Sequence, residues 1–301
     1  MTTGTGNFAE LLWPGIHDKF GTSYDMFPTL YTRIAQMEKS DKAFEKMQGV
    51  TGFGLAAVKD QGQGISYVDP YQGYQREFVN TTYGIGATVT KEMWSDDQYN
   101  YINAIPEMLA ESMRQTEETD FWNMLNNGFA GGATVELAAD GLSVVNSAHP
   151  NVGGGTQSNV AATSADLSQT SLEALVQVLL DETDDLGLRV RRLPEALVVP
   201  TASNFTARKL LETDFVVGSA DNDKNPLVGL FKDLIVCPYI TDSDAWWIKT
   251  NAKNGLVWFT RWEREAERDN EFDTKNLKFT VTKRWSRGVP DWRVLYGNPG
   301  A

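Results

Sequence analysis

The strongest constraint on the fold comes from two stretches late in the chain, "GLVWFTRWERE" and "NLKFTVTKRWS". Both alternate apolar and polar residues, the period of a strand with one buried face. Each outlasts the usual strand of ~5–6 residues. The pair therefore predicts two long strands, joined by "AERDNEFDTK". Trp285, Trp292 and Tyr296 need burial, so the sequence up to "GNPGA" is predicted to be held in place where most chains fray.

A long helix is predicted upstream. "YGIGATVTKEM" alternates as a strand, and Ser95, Asp96, Asp97 and Gln98 form a capping-box start. Ile102, Ile105, Met108, Leu109 and Met113, then Phe121, Trp122 and Leu125, recur at helical spacing. Proline fits a first turn but breaks a helix interior. Pro106 thus predicts a short helix followed by a long one from Pro106 to about Asn126, closed by Asn127-Gly128. Its middle, "ESMRQTEETD", is polar nearly all round, which predicts exposure or a polar neighbour.

Residues 131–254 read as a compact α/β lobe inserted between the two halves of a long-stranded lobe, 81–130 and 255–301. The lobe's signals are a helix on Leu172, Leu175, Val176, Leu179 and Leu180 with Ser168 as N-cap, a strand "EALVVP", a helix "ASNFTARKLLE", and strands "DLIVCPY" and "AWWIKT". Residues 1–53 read as an arm, with a helix over Tyr31 to Met47. Its Phe8, Leu11, Leu12 and Trp13 are too apolar for a free tail and predict contact with another subunit. Residues 54–80 read as a projecting hairpin, with strands Ile65–Val68 and Tyr74–Val79 around "DPYQG" and a rival tip at "DQGQG". Isolated hairpins are marginal in water. Support from a neighbouring chain is predicted through Ile65, Tyr67, Asp69, Pro70, Tyr71, Tyr74, Arg76 and Phe78.

The search for chemistry comes out negative. A net charge of −13 argues against a dedicated nucleic-acid binder. The one cysteine, Cys237, precludes an intrachain disulfide and reads as a buried structural thiol in "LIVCPY". No stretch reaches membrane-spanning length, and the start lacks signal-peptide features, so a reducing cytoplasmic setting is expected. "TGFGLAA" lacks the preceding strand of a dinucleotide loop. "DNDKNP" has Pro226 where a calcium loop needs glycine and Lys232 where it needs glutamate. His17 and His149 stand alone, without metal spacing or a nucleophile context. The carboxylate pairs Asp96 with Asp97, Glu117 with Glu118 and Asp184 with Asp185 read as caps or solvated faces rather than a glycosidase pair. Trp246, Trp247, Trp258 and Trp262 read as core or interface rather than a sugar platform, and Arg189 to Arg192 as partners for acidic neighbours or weak phosphate contacts. No cofactor, metal or catalytic residue is predicted. An apolar arm, a projecting hairpin, a polar helix and aromatic terminal strands have more to bury than one chain supplies, which points to an assembly subunit.

Seven stretches in order carry a resemblance: "YGIGATVTKEMWSDDQY", "EETDFWNMLNNGF", "DGLSVVNSAHP", "GGGTQSNV", "LVVPTASNFTARKLL", "NPLVGLFKDLIVCPYITDSDAWWI" and "ERDNEFDTKNLKFTVTKRWSRGVPDWRVLYGNPGA". Together they resemble the tailed-phage major capsid proteins of the Hong Kong 97 fold, Mu-like major head subunit type. "VPDWRVLYG" departs from the family's Asp-Pro-Arg-type turn, and Leu142 stands where Phe is common. The resemblance implies an α+β fold with an N-terminal arm, an extended loop, a peripheral lobe with a spine helix and an axial lobe. It further implies hexamers and pentamers closing an icosahedral shell around double-stranded DNA, assembled in the host cytoplasm, with a portal protein, a separate scaffolding protein, an optional decoration protein and only weak contact with the packaged DNA. The alternatives are an encapsulin-like nanocompartment shell protein and, from another class, a carbohydrate-binding or glycosidase domain.

Overall fold

The structure is a computed structural model that describes residues 24–96, 104–131, 134–215, 223–271, 273–274 and 276–301. The arm residues Phe8, Leu11, Leu12 and Trp13, and His17, lie outside the described residues. In chain order the elements are β1 (Gln36–Lys39), β2 (Phe44–Val50), β3 (Gln72–Val79), β4 (Thr81–Val89), α1 (Lys91–Asp96), α2 (Ile105–Asn126), β5 (His149–Pro150), β6 (Thr156–Gln157), α3 (Gln169–Leu180), β7 (Pro194–Pro200), α4 (Asn204–Glu212), β8 (Asp233–Cys237), β9 (Trp246–Thr250), β10 (Val257–Asn270), β11 (Leu277–Gly288) and β12 (Leu295–Asn298). The class is α+β.

The first sheet has the order β1-β10-β11-β4. At 14 and 12 residues, β10 and β11 are the long strands the alternation predicts, paired from Val257–Gly288 to Asn270–Leu277. Every second residue of β11 points at α2: Phe279, Val281 and Trp285 are buried there, and so is Lys283, which shares their phase. Trp258 and Tyr83 stack on Trp285 in the same layer.

Helix α2 runs 22 residues with Pro106 in its first turn, and Gly128 N–H closes it on Leu125 O at 3.0 Å. The residues that would show a break before Pro106 lie in 97–103, outside the described residues. Helix α1 begins earlier than the capping-box pattern suggests, because the Thr90 hydroxyl already accepts from Met93 N–H at 3.2 Å. The polar middle of α2 leaves Glu111, Gln115 and Thr119 exposed and buries Met113, Glu117 and Glu118, the two acids against polar neighbours, as its composition predicts. The helix read over Tyr31–Met47 is also corrected. Only Tyr31–Arg33 form a helical turn, and the chain then extends as β1, parallel to β10, and as β2, antiparallel to β3.

The second sheet has the order β12-β9-β7-β8, and both its faces are covered. Ala196, Val198, Ile235, Cys237, Trp247 and Leu295 face the end of α2, joining the core of the first sheet. Leu197, Val199, Trp246, Ile248 and Tyr296 face the other way, toward α3 and α4. This is the near-continuous apolar pattern of a doubly covered sheet. Ser168 caps α3 as expected, with Ser171 returning the bond. One boundary differs from the sequence segmentation. Residues 255–301 do not all belong to the long-stranded sheet, because β12 pairs with β9 in the second. Asn159 secures this strand, its amide donating to Val144 O, Trp292 O and Leu295 O at 2.7, 3.2 and 2.8 Å.

Candidate inter-subunit surface

None of the chemical candidates among the described residues forms a reaction centre. Trp246 and Trp247 go to opposite faces of one strand and are fully buried, so they make no platform. Cys237 is buried, which pushes its thiol up to about 12. His149 is enclosed between Asp140 Oδ2, at 2.5 Å from Nδ1, and Asn159 Oδ1, at 3.2 Å from Nε2, and stacks on Trp292. Asp184 accepts from Leu186 and Leu188 N–H within a turn, whereas Asp185 pairs with Arg293. Arg189 and Arg192 pair with Asp181 and Glu182.

Glu117 and Glu118 are neither caps nor solvated. Glu117 Oε1 accepts from Lys283 Nζ at 2.9 Å and from the Tyr24 hydroxyl, and Oε2 from the Tyr31 hydroxyl at 3.1 Å and Arg114 Nη1 at 3.3 Å. Glu118 accepts from Leu30 N–H at 2.6 Å and Trp122 Nε1 at 2.8 Å, and burial raises its carboxyl above the ordinary range. These two carboxylates fasten residues 24–31, within the arm, to α2 and β11. Hydropathy missed them. The signal that could have found the site is Lys283, a cation on the apolar phase of β11, which demands a buried anion.

The projecting element is built differently from the hairpin read in the sequence. Strand β3 pairs with β2, from Phe44–Val79 to Val50–Gln72, and not with Ile65–Val68. Ile65–Val68 lie instead in a long loop, residues 52–70, without helix or strand. Its tip turns at "DQGQG", where Gln63 N–H bonds Asp60 O at 3.1 Å. At its neck, Thr51 N–H donates to Tyr71 O at 3.1 Å and the Thr51 hydroxyl accepts from Tyr71 N–H at 2.9 Å. A bulge at Gly49 presses the two strands together, so that a Cβ on Gly73 would stand 2.9 Å from the Gly49 backbone.

The base of this ribbon is fixed to its own subunit. Phe78 is buried against Val257, Phe259 and Met47 and lies over Gly288, where a Cβ would collide with its ring. Phe78 is therefore an internal anchor and not an inter-subunit contact. Arg76 is likewise engaged internally, donating to Ala138 O at 3.3 Å and facing Glu136 at 3.6 Å. Asn80, two residues after Phe78, bonds Ser40, Lys42 O and Ser286. Beyond the neck the situation reverses. Phe53, Leu55, Val58, Ile65, Tyr67, Val68 and Tyr71 are all exposed, Tyr67 to 93%. Asp69 and Pro70 are exposed with them, and Tyr74 sits at the neck, 37% exposed. These apolar side chains are left uncovered by the chain's own fold.

A projecting apolar loop, a long helix laid on long strands and a second, doubly covered sheet are the features of the Hong Kong 97-type capsid fold. Solved structures with this arrangement include the procapsid of bacteriophage JBD30, with a TM-score of 0.53 at 13% identity over 99% of this chain and 75% of that one. The capsid of a native GTA particle matches with a TM-score of 0.58 at 11% identity over 90% of each chain. Mycobacterium phage Che8 matches with a TM-score of 0.56 at 14% identity over 91% of this chain and 93% of that one. No curated protein matches the sequence. The sequence profile of the phage capsid protein family matches residues 74–298, and the chain belongs to that family. It is a phage capsid protein, a structural component of the virion.

Proposed function

We propose that this chain is a Mu-like head subunit, whose hexamers and pentamers close an icosahedral shell around double-stranded DNA, and that residues 52–70 clamp a neighbouring subunit. The observation that carries the clamp is the contrast at the neck between Thr51 and Tyr71. Below it Phe78 and Asn80 are buried in their own chain, and above it the apolar side chains are exposed. Exposed backbone and side chains of this kind gain partners only on another chain, so ordering of the loop accompanies assembly. Each such contact is modest. A closed shell makes them simultaneously, so the assembly is far more stable than any one interface. The net charge of −13 suits a container that holds a polyanion without gripping it. The proposal extends to the arm's Phe8, Leu11, Leu12 and Trp13 as further inter-subunit contacts, on their apolar composition alone. Assembly takes place in the host cytoplasm with a separate scaffolding protein, a portal, and a decoration protein where one is used.

The test is to replace residues 52–70 with a short Gly/Ser linker, which leaves β2, β3 and Phe78 intact. The expected variant folds with normal thermal stability but yields no sedimenting shells when expressed with its scaffold. Shells of normal stability would refute the clamp, and an aggregated variant would show that the loop belongs to the subunit's own core.

A further inference from the structure

The second sheet carries an unused key and an unused lock. Phe205, in the first turn of α4, is 82% exposed, the highest value for any phenylalanine among the described residues. Its helix turns Arg208 and Lys209 to the same side at i+3 and i+4, both exposed. On the other flank, an apolar groove of about 410 Å³ opens between the Val176–Leu180 face of α3 and the turn Pro226–Leu230. Val176, Leu180, Pro226, Leu227 and Leu230 line it, and Glu173 stands at its rim. That turn is attached to the far end of α4, where Asn225 Nδ2 donates to Leu210 O at 2.7 Å and Thr213 O at 3.0 Å. Helix α4 therefore holds key and lock at opposite ends, and a chain leaves its own groove empty of Phe205.

We propose that Phe205 of one copy of this chain seats in the groove that α3 and the Pro226–Leu230 turn form on the next copy. Two observations select a second copy as the occupant. The groove is walled by aliphatic side chains and is large enough for a phenyl ring, and its rim acid Glu173 is complementary to Lys209 beside Phe205, whereas Arg208 pairs with Glu212 and Asp181 with Arg189 within their own chain. Because the two patches differ, the contact is head-to-tail, the type of contact from which closed rings are built. The contact rests on the shell reading above but goes beyond it, naming a pair of patches that this reading leaves without a role.

Crosslinking tests the geometry. Single variants Phe205→Cys and Leu180→Cys, and the double variant, are assembled and mildly oxidised. Both positions are exposed, so folding is preserved. The native Cys237 is buried and does not react. The double variant is expected to give a ladder of crosslinked oligomers on non-reducing gels, with neither single variant giving more than background dimer. Phe205→Asp should lower the yield of capsomers at least tenfold while leaving the subunit's melting temperature unchanged. Particles that form normally but give no ladder, or a dimer from Phe205→Cys alone, would overturn the contact and spare the shell reading. Failure of the unmodified chain to assemble even when expressed with its scaffolding protein would overturn both.

Discussion

The Glu117 cluster permits a double-mutant cycle whose outcome follows from counting donors. Replacing Lys283 by Met removes a nearly buried ammonium together with its 2.9 Å bond to Glu117 and its 3.0 Å bond to the Tyr24 hydroxyl. The carboxylate keeps Tyr24, Tyr31 and Arg114, so the loss is that of one charge-assisted hydrogen bond, ~1.5–3 kcal/mol. Glu117→Gln does more damage. Its two oxygens receive four donors, and an amide offers one oxygen and turns an NH₂ toward the remaining donors. The buried Lys283 loses its counter-charge, which costs ~3–5 kcal/mol. Once Lys283 is Met, the second penalty shrinks, because no ammonium is stranded. The double variant should thus be milder than the sum of the singles by ~1–3 kcal/mol. Urea unfolding of the unassembled subunit, followed by tryptophan fluorescence, measures the cycle; Trp122, Trp258 and Trp285 lie in the affected core. Hydrogen exchange adds a local readout, since the amides of Leu30 to Ala35 should exchange faster in Glu117→Gln. Strict additivity, or a Glu117→Gln cost below ~1 kcal/mol, would refute the view that this carboxylate fastens residues 24–31 of the arm.

Two further predictions concern smaller features. Lys249 and Lys232 hold the Glu195 carboxyl below its ordinary range, with Lys249 Nζ at 2.5 Å. A depressed acid stabilises the fold above its unfolded value and loses that contribution as pH falls through the folded one. The melting-temperature gap between the parent and Glu195→Gln should therefore be largest at neutral pH and vanish on acidification well below pH ~4. Because the pair is partly exposed, it amounts to ~1 kcal/mol or less, and a pH-independent gap would refute it. Gly73→Ala drives a methyl into the Gly49 backbone at 2.9 Å and should loosen the neck by ~1–3 kcal/mol. Faster amide exchange across β2 and β3, without loss of the main unfolding transition, is the expected signature, and unchanged exchange would show that the two glycines do not meet.

Much of the architecture was legible because it is local. The alternation in β10 and β11, the position of Pro106 in α2 and the Ser168 cap each need only a few neighbouring residues to be read. The misread elements depend on distant partners. In "AFEKMQGV", Phe44 and Met47 are spaced as on a helix, and the segment is a strand only because β3 lies beside it. The ribbon's register was missed because the true partner of β3 lies across the whole 52–70 loop, and a nearer strand offers itself. Phe78 was placed among the outward contacts, although Gly288, far along the chain, leaves the space that buries it. The same distance hid Glu117, whose partners Tyr24, Tyr31 and Lys283 lie far along the chain, and Glu118, which accepts from the distant Leu30 N–H. The loop's exposed apolar residues Ile65, Tyr67 and Tyr71 were found, since they owe their exposure to composition and need no register.

The placement of β12 has a consequence for the order in which the molecule can be made. Synthesis delivers β7, β8 and β9 first, then the two long strands, and only afterwards Leu295–Asn298. Until then the open side of β9 has no partner, Trp246 and Trp247 have no Asn298 and Gly297 opposite them, and Asn159 lacks two of its three carbonyls. A nascent chain therefore carries an incomplete second sheet while its first sheet is already finished. The buried Glu182 likewise waits for the Tyr296 hydroxyl, so the second sheet and the acid beneath it are completed only once Leu295–Asn298 have left the ribosome.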